Sequence, residues 1–137
     1  MTRILMVCLG NICRSPMADG LLRRKVNEEH LDVFVDSAGT ANYHIGKQAD
    51  HRMRQTAREN NTNIDDLRAR QFTHKDFELF DKIYAMDQEN YRNILKLAQT
   101  KKEESKVELI LNELFPNENR PVPDPYYGTK KDFQDVY

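Results

Sequence analysis

At 137 residues the chain has room for one domain around one core, expected to span 1–137. Its 39% apolar and 31% charged residues exclude a disordered chain, and 21 basic against 22 acidic residues exclude the broad basic field of a nucleic-acid binder. No apolar run approaches the ~20 residues of a membrane span, the opening MTRILMV lacks the form of a signal peptide, and two cysteines without an export signal point to a reducing cytoplasm and no disulfide framework.

RILMV (3–7) is a mostly apolar run of the kind that forms a buried parallel strand. After the stretch VCLGNICRSPMA (7–18), Ser15 reads as an N-cap and Pro16 as a first helical residue. Ala18, Leu22 and Val26 then recur at four-residue spacing beside Leu21, which carries a helix to about Glu29. VFVDSAGT (33–40) reads as strand and turn, and QADHRMRQTAREN (48–60) as a polar helix with few apolar anchors. KIYAM (82–86) is a third strand, and DQENYRNILKLAQ (87–99) the helix after it. Asp87 is expected to cap that helix, in preference to supporting the loop near Arg14. TKKEESK (100–106) reads as a solvated connection and VELIL (107–111) as a fourth strand. A loop rich in Pro and Asn follows, and KDFQDVY (131–137) reads as the first turns of a final helix. Strands alternating with helices predict an α/β sandwich with a parallel sheet. In such sheets ligands bind at the carboxyl ends of the strands, near a switch point.

The loop between the first strand and first helix is where chemistry is expected. Cys8 and Arg14 form C-x5-R, a weak pattern by itself. Placed between a strand and a capped helix, it becomes an anion site, because unpaired N–H groups and the helix dipole point at the loop centre. Gly10 and Asn11 tolerate the left-handed angles that a tight loop with inward N–H groups needs. Arg14 can grip two oxygens of a tetrahedral oxyanion. A helix N-terminus and a guanidinium both favour thiolate over thiol, so Cys8 is poised to attack phosphorus, with Ser15 donating a hydrogen bond to the sulfur. The plainer alternative is a small buried cysteine that ends a strand. Cys8 and Cys13 belong to one curled loop, so peroxide is expected to join them reversibly in a disulfide.

The stretch VCLGNICRSPMA closely resembles the phosphate-binding loop of the low-molecular-weight protein tyrosine phosphatases. The likeness continues, in the family's order, through DSAGT (36–40), RARQ (68–71), MD (86–87) and DPYYG (124–128). It implies a three-layer sandwich, a four-stranded parallel sheet flanked by helices, in the flavodoxin-like phosphotyrosine phosphatase I fold. It also implies cofactor-free, metal-free hydrolysis in two steps through a phosphocysteine. The phosphate loop then comprises Leu9, Gly10, Asn11, Ile12, Cys13, Arg14 and Ser15. Cys8 becomes the nucleophile and Arg14 the phosphate ligand, while Asn11 and Ser15 organise loop and thiolate. Asp124, on a loop stiffened by prolines 121, 123 and 125, becomes general acid and then base. Tyr126 and Tyr127 flank one side of the pocket and Tyr43 the other, a slot suited to an aryl phosphate. The implied partners are phosphotyrosine-containing proteins and a tyrosine kinase acting on the tyrosine pair, with no nucleic acid and no membrane.

Two departures stand out. A histidine often precedes RARQ in this family and helps hold the loop asparagine, but here that place is Leu67, so Ser37 is expected to support Asn11 with less help. Family members usually finish with a full C-terminal helix, and this chain stops at Tyr137, so that helix is expected to be incomplete. Among rival functions, thioredoxin-coupled arsenate reductases need further cysteines downstream, and none follows Cys13. Bacterial protein arginine phosphatases carry threonine where this loop has Ile12. A phosphopeptide-binding or redox-sensing module would lack the nucleophile or the acid. Histidines 30, 44, 51 and 74 are scattered and show no ligand spacing with the cysteines.

Overall fold

A computed structural model describes residues 2–11, 14–41 and 44–113. Strand β1 (Thr2–Cys8) leads to α1 (Arg14–Glu29), β2 (Val33–Gly39), α2 (His51–Glu59) and α3 (Asp76–Leu79). There follow β3 (Lys82–Ala85), α4 (Gln88–Leu95), α5 (Lys101–Ser105), β4 (Val107–Leu109) and a 3-10 turn over Ile110–Glu113. The four strands pair in parallel in the order β2-β1-β3-β4. The chain moves from β1 to one side, then crosses to the other. The crevice at the carboxyl end of β1 is therefore the switch point of the sheet.

The apolar run of β1 is nearly continuous because both faces of the sheet are covered. Leu5 and Val7 point to one face, with Ala38, Ile83, Ala85, Val107 and Leu109, beneath Phe72, Phe77, Phe80 and Ile94. Met6 and Cys8 point to the other, with Tyr84 and Met86, beneath Ala18 and Leu22 of α1. A second stripe of α1, Met17 and Leu21, packs against Met53 and Ala57 of α2 and against Ile64. The result is the three-layer α/β fold expected from the sequence.

The differences in detail have local causes. Helix α2 begins at His51 and not at Gln48, because Asp50 caps it by accepting the Arg52 N–H at 2.9 Å. Gln48 instead pairs with Arg68 in an isolated bridge. The run 100–106 is not merely a connection. The Thr100 hydroxyl accepts the Glu103 N–H and starts α5, none of whose residues is buried, so no apolar period signals it. Helix α1 starts at Arg14, so Pro16 lies inside its first turn, where a missing N–H costs nothing. The predicted final helix (131–137) lies outside the described residues.

Candidate active site

Cys8 ends β1 and is buried. Beyond it the backbone reverses at Asn11, whose φ of 58° lies in the left-handed region that asparagine tolerates best among residues with a side chain. That turn aims the Asn11 N–H at the Cys8 Sγ, 3.3 Å away. The Ser15 Oγ lies 3.0 Å from the same sulfur and donates to Asn11 Oδ1 at 2.9 Å. The hydroxyl foreseen as a helix cap is therefore spent on sulfur and asparagine. The N-terminus of the 16-residue α1 opens at this spot and adds its positive end to the field around the thiol.

Arg14, the first residue of α1, is only 3% exposed. Its Nη1 donates to Asp87 Oδ2 at 2.7 Å, while Asp87 Oδ1 accepts the Asn90 N–H at 2.8 Å. Capping and support of the arginine, weighed as alternatives, are thus both performed by one carboxylate. Asp87 follows β3 and opens α4, so the loop's arginine is oriented from the neighbouring strand. The Asp87 carboxylate fixes the orientation of this guanidinium beside the loop, where a cation can bind an oxyanion.

The rear wall of the loop carries residues whose role the sequence reading did not single out. Thr40 N–H donates to the Cys8 carbonyl and Ala41 N–H to the Leu9 carbonyl, both at 2.9 Å. A Cβ on Gly39 would sit 2.7 Å from the Leu9 oxygen and 3.1 Å from both Gly10 C and Asn11 N. Only glycine lets the end of β2 approach the loop so closely. A glycine closing a strand beside a suspected phosphate loop was the available signal.

The expected support of Asn11 by Ser37 does not hold. The Ser37 hydroxyl hydrogen-bonds the Asp19 carboxylate, and Asn11 Nδ2 is buried without a hydrogen-bond partner among the described residues. The cause is Asp19, which is fully buried on α1 and competes for donors. Burial pushes its carboxyl above the usual carboxylate range, while Arg23 and Ser37 pull in the opposite direction. Leu67 packs partly buried against the cluster around Met17 and Met53 and brings no polar atom to Asn11.

Ile12, Cys13, Tyr43, Asp124, Tyr126 and Tyr127 lie outside the described residues. Among the described residues, no three of His, Cys, Asp or Glu converge as a metal-holding group, and no helix is long and apolar enough to cross a membrane.

The chain as a whole has relatives. The family described as low molecular weight phosphotyrosine protein phosphatase matches residues 3–137. A low molecular weight phosphotyrosine protein phosphatase of Gallus gallus is 39% identical, covering 98% of this chain and 85% of its own. That of Schizosaccharomyces pombe is 38% identical, with 98% and 87% covered. A crystal structure of a protein tyrosine phosphatase from Entamoeba histolytica, with Hepes in its active site, superposes with a TM-score of 0.92 at 38% identity. It covers 99% of this chain and 87% of that one.

Proposed function

Since the chain belongs to the low molecular weight phosphotyrosine protein phosphatase family, we propose that it hydrolyses phosphotyrosine in proteins, with Cys8 as nucleophile. The observation that carries this reading is the donor set around the buried sulfur. The Asn11 N–H and Ser15 Oγ stand 3.3 and 3.0 Å from Sγ, at the mouth of a helix whose first residue is a carboxylate-held arginine.

In the first step the Cys8 thiolate attacks phosphorus and the bond to the tyrosine oxygen breaks. Asp124 gives that oxygen its proton. Arg14 and the loop N–H groups stabilise the charge spread over the equatorial oxygens. In the second step Asp124, now a carboxylate, takes a proton from water as the water attacks phosphorus. The P–S bond breaks and inorganic phosphate leaves with the thiolate restored. A hydrogen bond from Ser15 to the departing sulfur makes it a better leaving group. Tyr43, Tyr126 and Tyr127 would flank the aryl ring. Ile12, in place of a hydroxyl-bearing residue, supports an aryl over a guanidinium phosphate. Cytoplasmic phosphotyrosine proteins as substrates, a tyrosine kinase acting on Tyr126 and Tyr127, and reversible oxidation to a Cys8–Cys13 disulfide belong to the same reading.

The test is turnover of phosphotyrosyl and phosphoarginyl peptides by the purified chain in the presence of a chelator. Phosphotyrosine should be preferred, and Cys8→Ser should abolish turnover while still binding phosphate. In Asp124→Ala, turnover of a phenyl-type ester should fall about 10²–10⁴-fold, the scale of lost general acid catalysis. Preference for phosphoarginine, or turnover that survives Cys8→Ser, would overturn the proposal.

A further inference from the structure

We propose that Arg70, remote from the thiol, is a positioning residue that clamps the rear wall of the Cys8 loop in place. The inference deepens the phosphatase reading and rests on it, but its geometry is independent of any substrate.

The contacts run in sequence from the guanidinium to the loop. Arg70 Nη1 and Nη2 donate to the two oxygens of Asp76 at 3.1 and 3.0 Å, and Nε donates to Asp36 at 3.2 Å. Asp76 is 2% exposed and also accepts the Thr73 N–H at 2.9 Å, so its oxygens are fixed in turn. With its side chain tied at two points, the backbone of Arg70 has little slack. Its carbonyl accepts the Gly39 N–H at 2.8 Å, and the Gly39 carbonyl accepts the Phe72 N–H at 2.7 Å. Segment 70–72 therefore completes the outer edge of β2 where that strand backs onto the loop. On its inner side Gly39 leaves no room for a Cβ against the backbone of Leu9, Gly10 and Asn11, and the next two N–H groups hold the Cys8 and Leu9 carbonyls. Only the bidentate fork of arginine meets Asp76 with two nitrogens while a third reaches Asp36. A lysine has one point of charge.

The competing explanation is stability alone, because Arg70 also belongs to a wider ion network. Arg23 bonds Asp19, approaches Asp36 to 4.0 Å and donates to the Val35 carbonyl. It shares a carboxylate with Arg70 but, among the described residues, hydrogen-bonds neither Gly39 nor segment 70–72. Arg23→Gln is therefore the control for loss of network charge without loss of the clamp.

The experiment compares Arg70→Gln, Arg70→Lys and Arg23→Gln in the full chain. It reads melting temperature, amide exchange at Thr40 and Ala41, protection of Cys8 from iodoacetate by inorganic phosphate, and kcat and KM. Arg70→Gln should speed exchange at both amides, weaken phosphate protection, and lower kcat/KM by as much as about 10²-fold, the cost of displacing a reacting group by about 1 Å. Arg70→Lys should fail to restore these readouts. Arg23→Gln should lower the melting temperature and leave them near wild type. If Arg70→Gln does not fold, Asp76→Asn loosens the same fork more gently and should show the same pattern. A loop unchanged in a folded Arg70 variant, or disturbed equally by Arg23→Gln, would overturn the clamp. An inactive wild-type protein would refute the phosphatase reading instead, and the exchange data would still decide the clamp.

Discussion

Gly39→Ala tests the loop's rear wall with one methyl group. The new Cβ would lie 2.7 Å from the Leu9 carbonyl oxygen, where ordinary contact starts near 3.4 Å. About 0.7 Å of movement must be found, and all three nearest atoms are backbone, so no rotamer change supplies it. The φ of Gly39 is not positive, so the effect is steric and not a matter of backbone preference. The end of β2 is held on its other edge by the Arg70 carbonyl and the Phe72 N–H, so the loop is the part that yields. Overpacking of this kind costs roughly 1–3 kcal/mol, less than the roughly 5–15 kcal/mol that keeps a domain folded. The variant should therefore fold and fail in chemistry. With the Leu9 carbonyl displaced by about 0.7 Å and the Asn11 N–H by a few tenths of an ångström, kcat/KM should fall by up to about 10²-fold. The assay is hydrolysis of p-nitrophenyl phosphate alongside thermal melting. Gly46→Ala is the comparison, because Gly46 has a φ of +84° with nothing within 4 Å of its Cβ position. It should lower stability by about 1–2 kcal/mol through backbone strain and leave the loop in place. Wild-type kcat/KM and phosphate protection in Gly39→Ala would refute the reasoning.

Asp87 separates capping from orientation, because asparagine caps helices nearly as well as aspartate. Asp87→Asn should keep the melting temperature close to wild type yet lower kcat/KM about tenfold, the scale of one hydrogen bond between charged groups. Asp87→Ala should lose a further ~1 kcal/mol of stability with the cap, and equal melting temperatures in the two variants would count against the dual role. At Asp50, burial pushes the carboxyl upward, but the Arg52 side chain, the Arg52 N–H and the Arg52 charge outweigh it and hold it below 3.8. The stability this gives is full above 3.8 and fades as pH falls through the lowered value. Asp50→Asn keeps the cap, so it should cost about 1 kcal/mol at neutral pH and converge with wild type in strong acid. A gap that does not narrow between pH 5 and pH 2 would refute the assignment.

The sheet was legible because β1 buries both faces and therefore reads as an unbroken apolar run, while α1 has a regular stripe in Ala18 and Leu22. The loop was legible because its chemistry depends on residue identity: a cysteine at the strand end, an asparagine at φ 58°, and a serine and an arginine in the first helical turn. Helix α5 was not legible, since a five-residue helix with every side chain outside the core has no period to detect. Nor was α3, whose four residues are anchored through Asp76 to Arg70, a pairing that sequence distance does not announce. The partner of Ser37 was misread for a related reason. Hydrogen-bond competition is settled by which buried group needs a donor most, and Asp19 reads on a helix wheel as an ordinary polar position.

The Ser15 hydroxyl connects these observations, for it has one proton and three acceptors within reach, the Ala38 carbonyl being the most distant at 3.5 Å. Sγ lies 3.0 Å away and Asn11 Oδ1 2.9 Å away. When the sulfur is anionic it is the stronger acceptor, and the proton goes to it. Asn11 Oδ1 then loses its donor, while Nδ2 already has no hydrogen-bond partner among the described residues. With the amide in the opposite orientation, Nδ2 would donate to Ser15 Oγ while Ser15 donates to sulfur. Neither Leu67 nor Ser37 brings a hydrogen bond to the far side of the amide. Asn11 thus serves the thiol twice, through its backbone N–H on the sulfur and through its Oδ1 on the Ser15 hydroxyl that neighbours it.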